Sequence, residues 1–263
     1  MEAVQLKAKI ISNKKLKCNY WYLEFDSRII AKSALPGQFI EVKTGNGIDP
    51  LLRRPISVHS VSGTQVKLVY EVIGKGTQIL SERKPGAFLD VIGPLGNGFE
   101  YNRLTKKLDK QKTILVAGGM GVAPLVFLAE KIKSHRPVVL IGARNKEQVL
   151  CAQEFKDLGC KVIITTDDGS LGFKGRVTEL LKGFLSENQK TGKPEHIYAC
   201  GPQPMLKTVV QISRENNISS QLSLETHMAC GFGACLGCVV STKTGYKRVC
   251  KDGPVFMGKE LIW

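Results

Sequence analysis

Four cysteines crowd into the last part of the chain in the order Cys230-x4-Cys235-x2-Cys238, with Cys250 further on. This spacing constrains the fold more than any other feature. One loop must carry three thiols to a point, and a later segment must return to it with a fourth. Gly231, Gly233 and Gly237 stand among these cysteines and let the backbone bend closely. Val239 to Val249 reads as a hairpin turning near Thr244-Gly245, which brings Cys250 back. The C-x4-C-x2-C…C order is the plant-type [2Fe–2S] spacing, in which loop amides can bond the sulfurs and tune the potential. Structural zinc is the other reading, but its cysteines usually arrive as two short pairs.

The other cysteines of the eight, Cys18, Cys151, Cys160 and Cys200, are dispersed. Met1 to Tyr20 is charged throughout and lacks the apolar core of an export signal. A tight thiol group in such a chain predicts metal ligation rather than disulfides, in a soluble cytoplasmic protein. The longest uncharged run, Thr113 to Ala129, is short for a membrane span and is broken by Gly118, Gly119, Gly121 and Pro124.

Upstream, the pattern changes once. Residues 1–102 read as a small antiparallel β-barrel, with short runs such as Gln38–Val42, Ile56–Val58 and Val66–Tyr70 between turn signals. Ser62-Gly63-Thr64 suits a hairpin turn. A helix is predicted from Gly76-Thr77 through Glu82, stopped by Pro85-Gly86. The Lys-rich stretch 103–112 reads as a linker. Beyond it, apolar strands at Thr113–Ala117, Val138–Gly142, Lys161–Thr165 and His196–Ala199, the last expected of the sheet, alternate with helical segments at Pro124–Ile132, Val177–Leu181 and Met205–Arg214. Alternation of this kind predicts a doubly wound parallel α/β sheet. The expected fold class is multidomain β plus α/β: a barrel (1–102), an α/β domain (103–222) and a small C-terminal iron–sulfur segment (223–263).

The 263 residues carry a formal charge of +15. The lysines are scattered, with no dense basic block or stacking-aromatic array, so neither nucleic acid nor a membrane is an expected partner. A dinucleotide phosphate or an acidic partner also suits this charge.

Arg53-Arg54-Pro55-Ile56-Ser57 begins an apparent strand, and Val69-Tyr70-Glu71 leads into Gly76-Thr77 at a helix start. Helix N-termini favour pyrophosphates. Arg54 is suited to pair with the same phosphates, and Ser57 to hydrogen-bond a flavin ring. With Pro36-Gly37-Gln38-Phe39 and Gly93-Pro94-Leu95-Gly96-Asn97-Gly98-Phe99, these residues resemble the FAD-binding barrel of the ferredoxin–NADP reductase superfamily. The family's Arg-x-Tyr-Ser has Ile56 in place of Tyr, which keeps an apolar but not an aromatic contact. The resemblance implies FAD contacts from Arg54, Pro55, Ile56, Ser57, Val69, Tyr70, Glu71, Gly76 and Thr77.

Ala117-Gly118-Gly119-Met120-Gly121-Val122-Ala123-Pro124 joins a buried strand to a helix, where glycines permit close approach of a pyrophosphate. Pro124 departs from G-x-G-x-x-G but suits a first helical turn. The loop matches the nicotinamide-binding loop of the same superfamily, implicating Gly119, Gly121 and Pro124. The resemblance also places Cys200-Gly201-Pro202 beside the nicotinamide ring; otherwise Cys200 is simply a small buried residue. Thr166-Asp167-Asp168-Gly169-Ser170 borders the same cleft or is only a turn. Arg144 lies near the expected ribose position, which leaves NAD and NADP both open.

The whole chain resembles the electron-transfer subunits of type B dihydroorotate dehydrogenase, most specifically in Glu225–Val239 and Val249–Phe256. That resemblance implies cluster ligands Cys230, Cys235, Cys238 and Cys250, bound FAD, and NAD as an exchangeable substrate. It also implies an FMN-containing catalytic partner in a heterotetramer with two of each subunit. Electrons would pass from partner FMN through the cluster and FAD to NAD. No catalytic acid–base residue is expected. The alternatives are the reductase subunit of another NAD(P)H-linked complex, of the bifurcating ferredoxin:NADP oxidoreductase or sulfhydrogenase type, and a zinc-bearing binding module.

Overall fold

The structure is a computed structural model that describes residues 3–45, 47–101, 113–188 and 194–263. The expected linker, 103–112, lies outside the described residues. The chain forms two compact units. The first comprises the described residues through Gly98 with Thr226–Val240 and Tyr246–Pro254; the second comprises Phe99–Glu225, Ser241–Gly245 and Val255–Trp263. The cysteine-bearing tail thus contributes to both.

The first unit is a closed six-stranded antiparallel barrel in the order β1 (Val4–Lys17), β2 (Tyr20–Asp26), β5 (Gln65–Glu71), β4 (Arg54–Ser62), β3 (Phe39–Lys43) and β6 (Phe88–Leu95). Its core is apolar, with Ile10, Leu23, Phe25, Ile40, Val58, Leu68 and Val91 all buried. The long β1 pairs with β6 through Val4–Lys9 and with β2 from Lys9 onward, so one strand turns a barrel corner. Its many lysines hide the alternation that marks it as a strand. The helices are α1 (Arg28–Ser33) and α2 (Lys75–Ser81), the latter where the sequence predicts it.

The second unit holds a seven-stranded sheet ordered β10 (Phe173–Lys174), β9 (Lys161–Thr166), β8 (Val138–Ala143), β7 (Thr113–Gly118), β11 (His196–Cys200), β12 (Ser219–Ser223) and β15 (Val255–Met257). All pairings are parallel except β12 with β15. The helices are α3 (Val122–Ile132), α4 (Ala152–Asp157), α5 (Val177–Glu187) and α6 (Gln203–Glu215). Every residue of β7 is buried, as a strand covered on both faces requires. The strand expected to end the sheet, His196–Ala199, is instead followed by β12 and β15. Ser219-Ser220-Gln221-Leu222-Ser223 is mostly buried despite its polar letters. The Gln221 amide accepts from Glu100 N (2.8 Å) and donates to Glu100 O (2.8 Å), so burial leaves its polar atoms satisfied. The tail adds the hairpin β13 (Val239–Thr242) and β14 (Gly245–Arg248) and the one-turn α7 (Val249–Asp252). Among the described residues, no helix is long and apolar enough to cross a membrane.

Candidate functional site

The four clustered cysteines converge. Gly237 N donates to Cys235 Sγ (3.4 Å), Cys250 N to Cys238 Sγ (3.4 Å), and Val249 N to Cys238 O (2.9 Å). The hairpin therefore returns Cys250 to the loop as its spacing predicts. Burial works against ionisation of Cys230, but the amides of Cys235, Phe232 and Ala234 and the Cys235 thiol outweigh it and pull the group down to about 6. Burial, and then the neighbouring Cys238 and Cys230, push Cys250 up to about 12. Amides aimed at sulfur and several thiols competing for one space fit a site made for thiolates around positive metal. Leu236 holds a left-handed φ of 59° in this loop, a conformation that bulky residues rarely adopt.

The loop rests on the barrel. A Cβ on Gly231 would collide with the Glu41 side chain. Glu41 is completely buried, and neither carboxylate oxygen has a hydrogen-bond partner among the described residues. Burial raises its pKa to about 7; Arg53 and Arg54 oppose the rise and Cys230 adds to it. In the ladder, Glu41 pairs with Pro55, and Phe39 with Ser57. Directly paired residues share a face, so the cysteine loop meets the sheet on the face that carries Pro55. Nearby, Asn97 N donates to Gly253 O (2.5 Å), and Asn97 Nδ2 to the carbonyls of Lys251 (3.1 Å) and Asp252 (3.2 Å). The Gly93–Phe99 loop therefore also grips the turn that carries Cys250.

Arg54 packs over Gly76: a Cβ on Gly76 would lie 2.6 Å from Arg54 Nε. Arg53 is committed elsewhere, donating to Asp90 Oδ1 (2.9 Å) and Asp90 O (2.8 Å). Thr77 Oγ1 accepts from Ile73 N (3.1 Å) and Gly74 N (3.3 Å), so its hydroxyl caps α2. Ile56 and Val69 are buried, and Glu71 is half-buried. The Tyr70 hydroxyl donates to Asn13 Oδ1 (3.0 Å), and the Asn13 amide holds the end of α2 through Leu80 O (2.8 Å).

In the second unit, the glycines after β7 pack against the turn after β11. A Cβ on Gly121 would strike the Cys200 carbonyl, and one on Gly118 would lie 2.6 Å from Met205 Sδ and 3.0 Å from Pro202 Cδ. Gly119 (φ 55°) faces open space. Pro124 is buried in the first turn of α3. Cys200 Sγ donates to Glu225 Oε1 (3.8 Å); burial, and then the Glu225 carboxylate, push this thiol well above the ordinary range, so it is neutral. Asp168 Oδ1 accepts from Ser170 N (2.9 Å), closing the Thr166–Ser170 turn. Arg144 is exposed.

Sequence reasoning assigned no role to Glu41, Asn97 or Glu225. Nothing in their local patterns separates them from ordinary strand and loop residues; only long-range packing does.

Comparison with known proteins agrees with this layout. Residues 225–262 match the model for the iron–sulfur cluster binding domain of dihydroorotate dehydrogenase B, and residues 115–211 the oxidoreductase NAD-binding domain. The chain is 42% identical over 264 residues to a dihydroorotate dehydrogenase B (NAD(+)) electron transfer subunit of Desulforamulus reducens, covering 97% of each chain. It is 36% identical to a subunit of the same name from Caldanaerobacter subterraneus, covering 98% of this chain and 99% of the other. Among solved structures, an NADH-dependent reduced ferredoxin-NADP oxidoreductase, described in terms of flavin-based electron bifurcation, aligns with a TM-score of 0.81 and 30% identity, over 97% of this chain and 90% of that one. Ferredoxin-NADP+ reductase from Plasmodium falciparum, 16% identical with a TM-score of 0.65 over 80% of this chain and 91% of that one, shares the fold.

Proposed function

Since the chain belongs to the family of dihydroorotate dehydrogenase B electron transfer subunits, we propose that it carries the two electrons released when dihydroorotate becomes orotate. They pass from the FMN of a catalytic partner, by way of a [2Fe–2S] cluster and FAD, to NAD+, in pyrimidine biosynthesis. Bound FAD supplies the exchange between one-electron and hydride chemistry that links a cluster to a nicotinamide. The protein's own task is to hold, orient and insulate these groups.

Cys230, Cys235, Cys238 and Cys250 hold the irons in this reading. Arg54 would offer its guanidinium to the FAD phosphates, and Ser57 its hydroxyl to the ring. Pro55, Ile56, Val69, Tyr70, Glu71 and Thr77 shape the surrounding wall. Gly119, Gly121, Pro124, Cys200, Gly201 and Pro202 form the nicotinamide-binding loops. The functional modules are 1–102 for FAD, 103–222 for NAD and 223–263 for the cluster. The observation that carries the reading is the seat of the cysteine loop on Glu41, whose strand partner is Pro55. Phe232 and Leu236 are 53% and 61% exposed on that loop, an apolar rim suited to a catalytic subunit. Two copies of each subunit, in the cytoplasm, complete the proposal.

The similarity to the ferredoxin-NADP oxidoreductase favours one second reading, the reductase subunit of a bifurcating complex. Reconstitution separates the two. Mixed with the FMN subunit, the chain is expected to support dihydroorotate-dependent NAD+ reduction, and absence of coupling would favour the second reading. Cys235→Ser is expected to lose the cluster and keep FAD. Arg54→Ala is expected to weaken FAD retention about tenfold or more, the scale of a lost charge-assisted bond; unchanged flavin content would remove Arg54 from the site.

A further inference from the structure

The four cysteines come from two separate pieces of chain, the Cys230–Cys238 loop and the α7 turn, and one side chain is bonded to both. Arg248 Nη1 donates to Gly233 O (3.2 Å), in the middle of the loop. The same guanidinium makes a paired contact with Asp252 in the turn, through Nε to Oδ2 (3.0 Å) and Nη2 to Oδ1 (3.3 Å). Asp252 Oδ2 also accepts from Arg248 N (2.8 Å), and Gly253 N donates to Arg248 O (3.3 Å). A two-pronged contact fixes the plane of the guanidinium as well as its position, which a lysine ammonium cannot do. Both side chains are partly shielded, so solvent screens the pair less than a fully exposed one.

The position matters as well. Arg248 stands two residues before Cys250, and the next residue, Val249, donates its N to Cys238 O (2.9 Å), so the guanidinium is anchored where the two ligand segments meet. Gly233 has a φ of 91°, and its Cα faces the Lys251 side chain, whose Cδ lies 2.6 Å from where a Cβ would be. The loop therefore approaches the turn closely at the residue whose carbonyl Arg248 holds.

We infer that Arg248, locked in place by Asp252, is a positioning residue for the iron–sulfur site: it sets the gap between the ligand loop and the Cys250 turn and places a fixed positive charge beside the ligand sulfurs. This rests on the proposed cluster-binding role of the four cysteines. A cation at that place favours the electron added on reduction, and an outer residue that holds ligands slows loss of metal.

The test uses the full chain with its FAD and cluster. Arg248→Gln is expected to lower the cluster midpoint potential, measured by redox titration with electron spin resonance. It is also expected to release iron to a chelator about tenfold faster, with FAD content unchanged. Arg248→Lys is expected to keep most of the potential but lose iron faster, because charge survives and the fork does not. Asp252→Asn is expected to speed iron release as Arg248→Gln does but not to lower the potential, since it removes a negative charge, and the double variant to release iron no faster than Arg248→Gln alone, since the two residues hold the gap as one unit. If Arg248→Gln fails to fold, the Arg248→Lys and Asp252→Asn measurements decide. Wild-type potential and release rate in folded, FAD-bearing variants would overturn the inference while leaving the cluster intact. Absence of iron from the wild-type protein would instead sink the reading on which it rests.

Discussion

The chain contains two glycine-rich loops that look alike as strings, Gly118–Gly121 and Gly231–Gly237, and the structure uses their glycines differently. In the first, Gly121 has an ordinary helical φ of −60°, and what excludes a side chain is the backbone of Cys200 and Gly201. In the second, Gly231 and Gly233 adopt φ of 79° and 91°, and their neighbours are side chains, Glu41 and Lys251. One loop is built by close passage of two backbones, the other by chain reversal around a set of thiols. Rigid neighbours tolerate no added atom, whereas flexible side chains can give way.

That contrast can be broken by substitution. Gly121→Ala is expected to have the largest effect, roughly 3 kcal/mol of lost stability, because a carbonyl and an amide would have to move. Denaturant unfolding measures it, and a loss under 1 kcal/mol would mean that the two turns are loosely packed. Gly233→Ala is expected to cost about 1–2 kcal/mol, mostly through its left-handed backbone, and to speed iron loss. Gly119→Ala is expected to cost about 1 kcal/mol with no effect on iron, since it meets open space but needs a positive φ. If Gly119→Ala proved as costly as Gly121→Ala, backbone conformation rather than close passage would dominate in both loops.

Glu41 sharpens the comparison from the barrel side. Its pKa is raised from 4.5 to about 7, so the folded chain holds this proton more tightly than the unfolded chain does. Stability from this group is full below the unfolded value and falls as pH rises through 7, by roughly 3 kcal/mol in total. Glu41→Gln is expected to flatten that decline between pH 5 and 8, as unfolding curves across pH would show. A decline that persists unchanged would place its source elsewhere.

Much of the architecture was legible because strand and helix periodicity is local. The continuous apolar runs at β7, β8 and β9, the helix opening near Gly76 and the hairpin returning Cys250 could all be read directly. β1 was not, since its lysines mask a strand that bends between two partners. Nor was β12, where serines and a glutamine are buried only because Glu100 and the neighbouring strands satisfy them. The site divides in the same way. Cysteine spacing and the Arg54–Gly76 pairing follow from chain chemistry. The burial of Glu41, the grip of Asn97 and the fork of Arg248 do not.

By itself, the order of residues determined which atoms are available to bind iron and phosphate and how far apart along the chain they stand, because thiols, guanidinium groups and turn-forming glycines carry their chemistry wherever they are placed. Only tertiary structure decided that the thiol loop rests against the strand pair Glu41–Pro55, and that the loop after β6 holds the turn bearing Cys250. Such contacts join residues far apart in sequence. Their energies depend on burial and shape, which no local pattern of letters encodes.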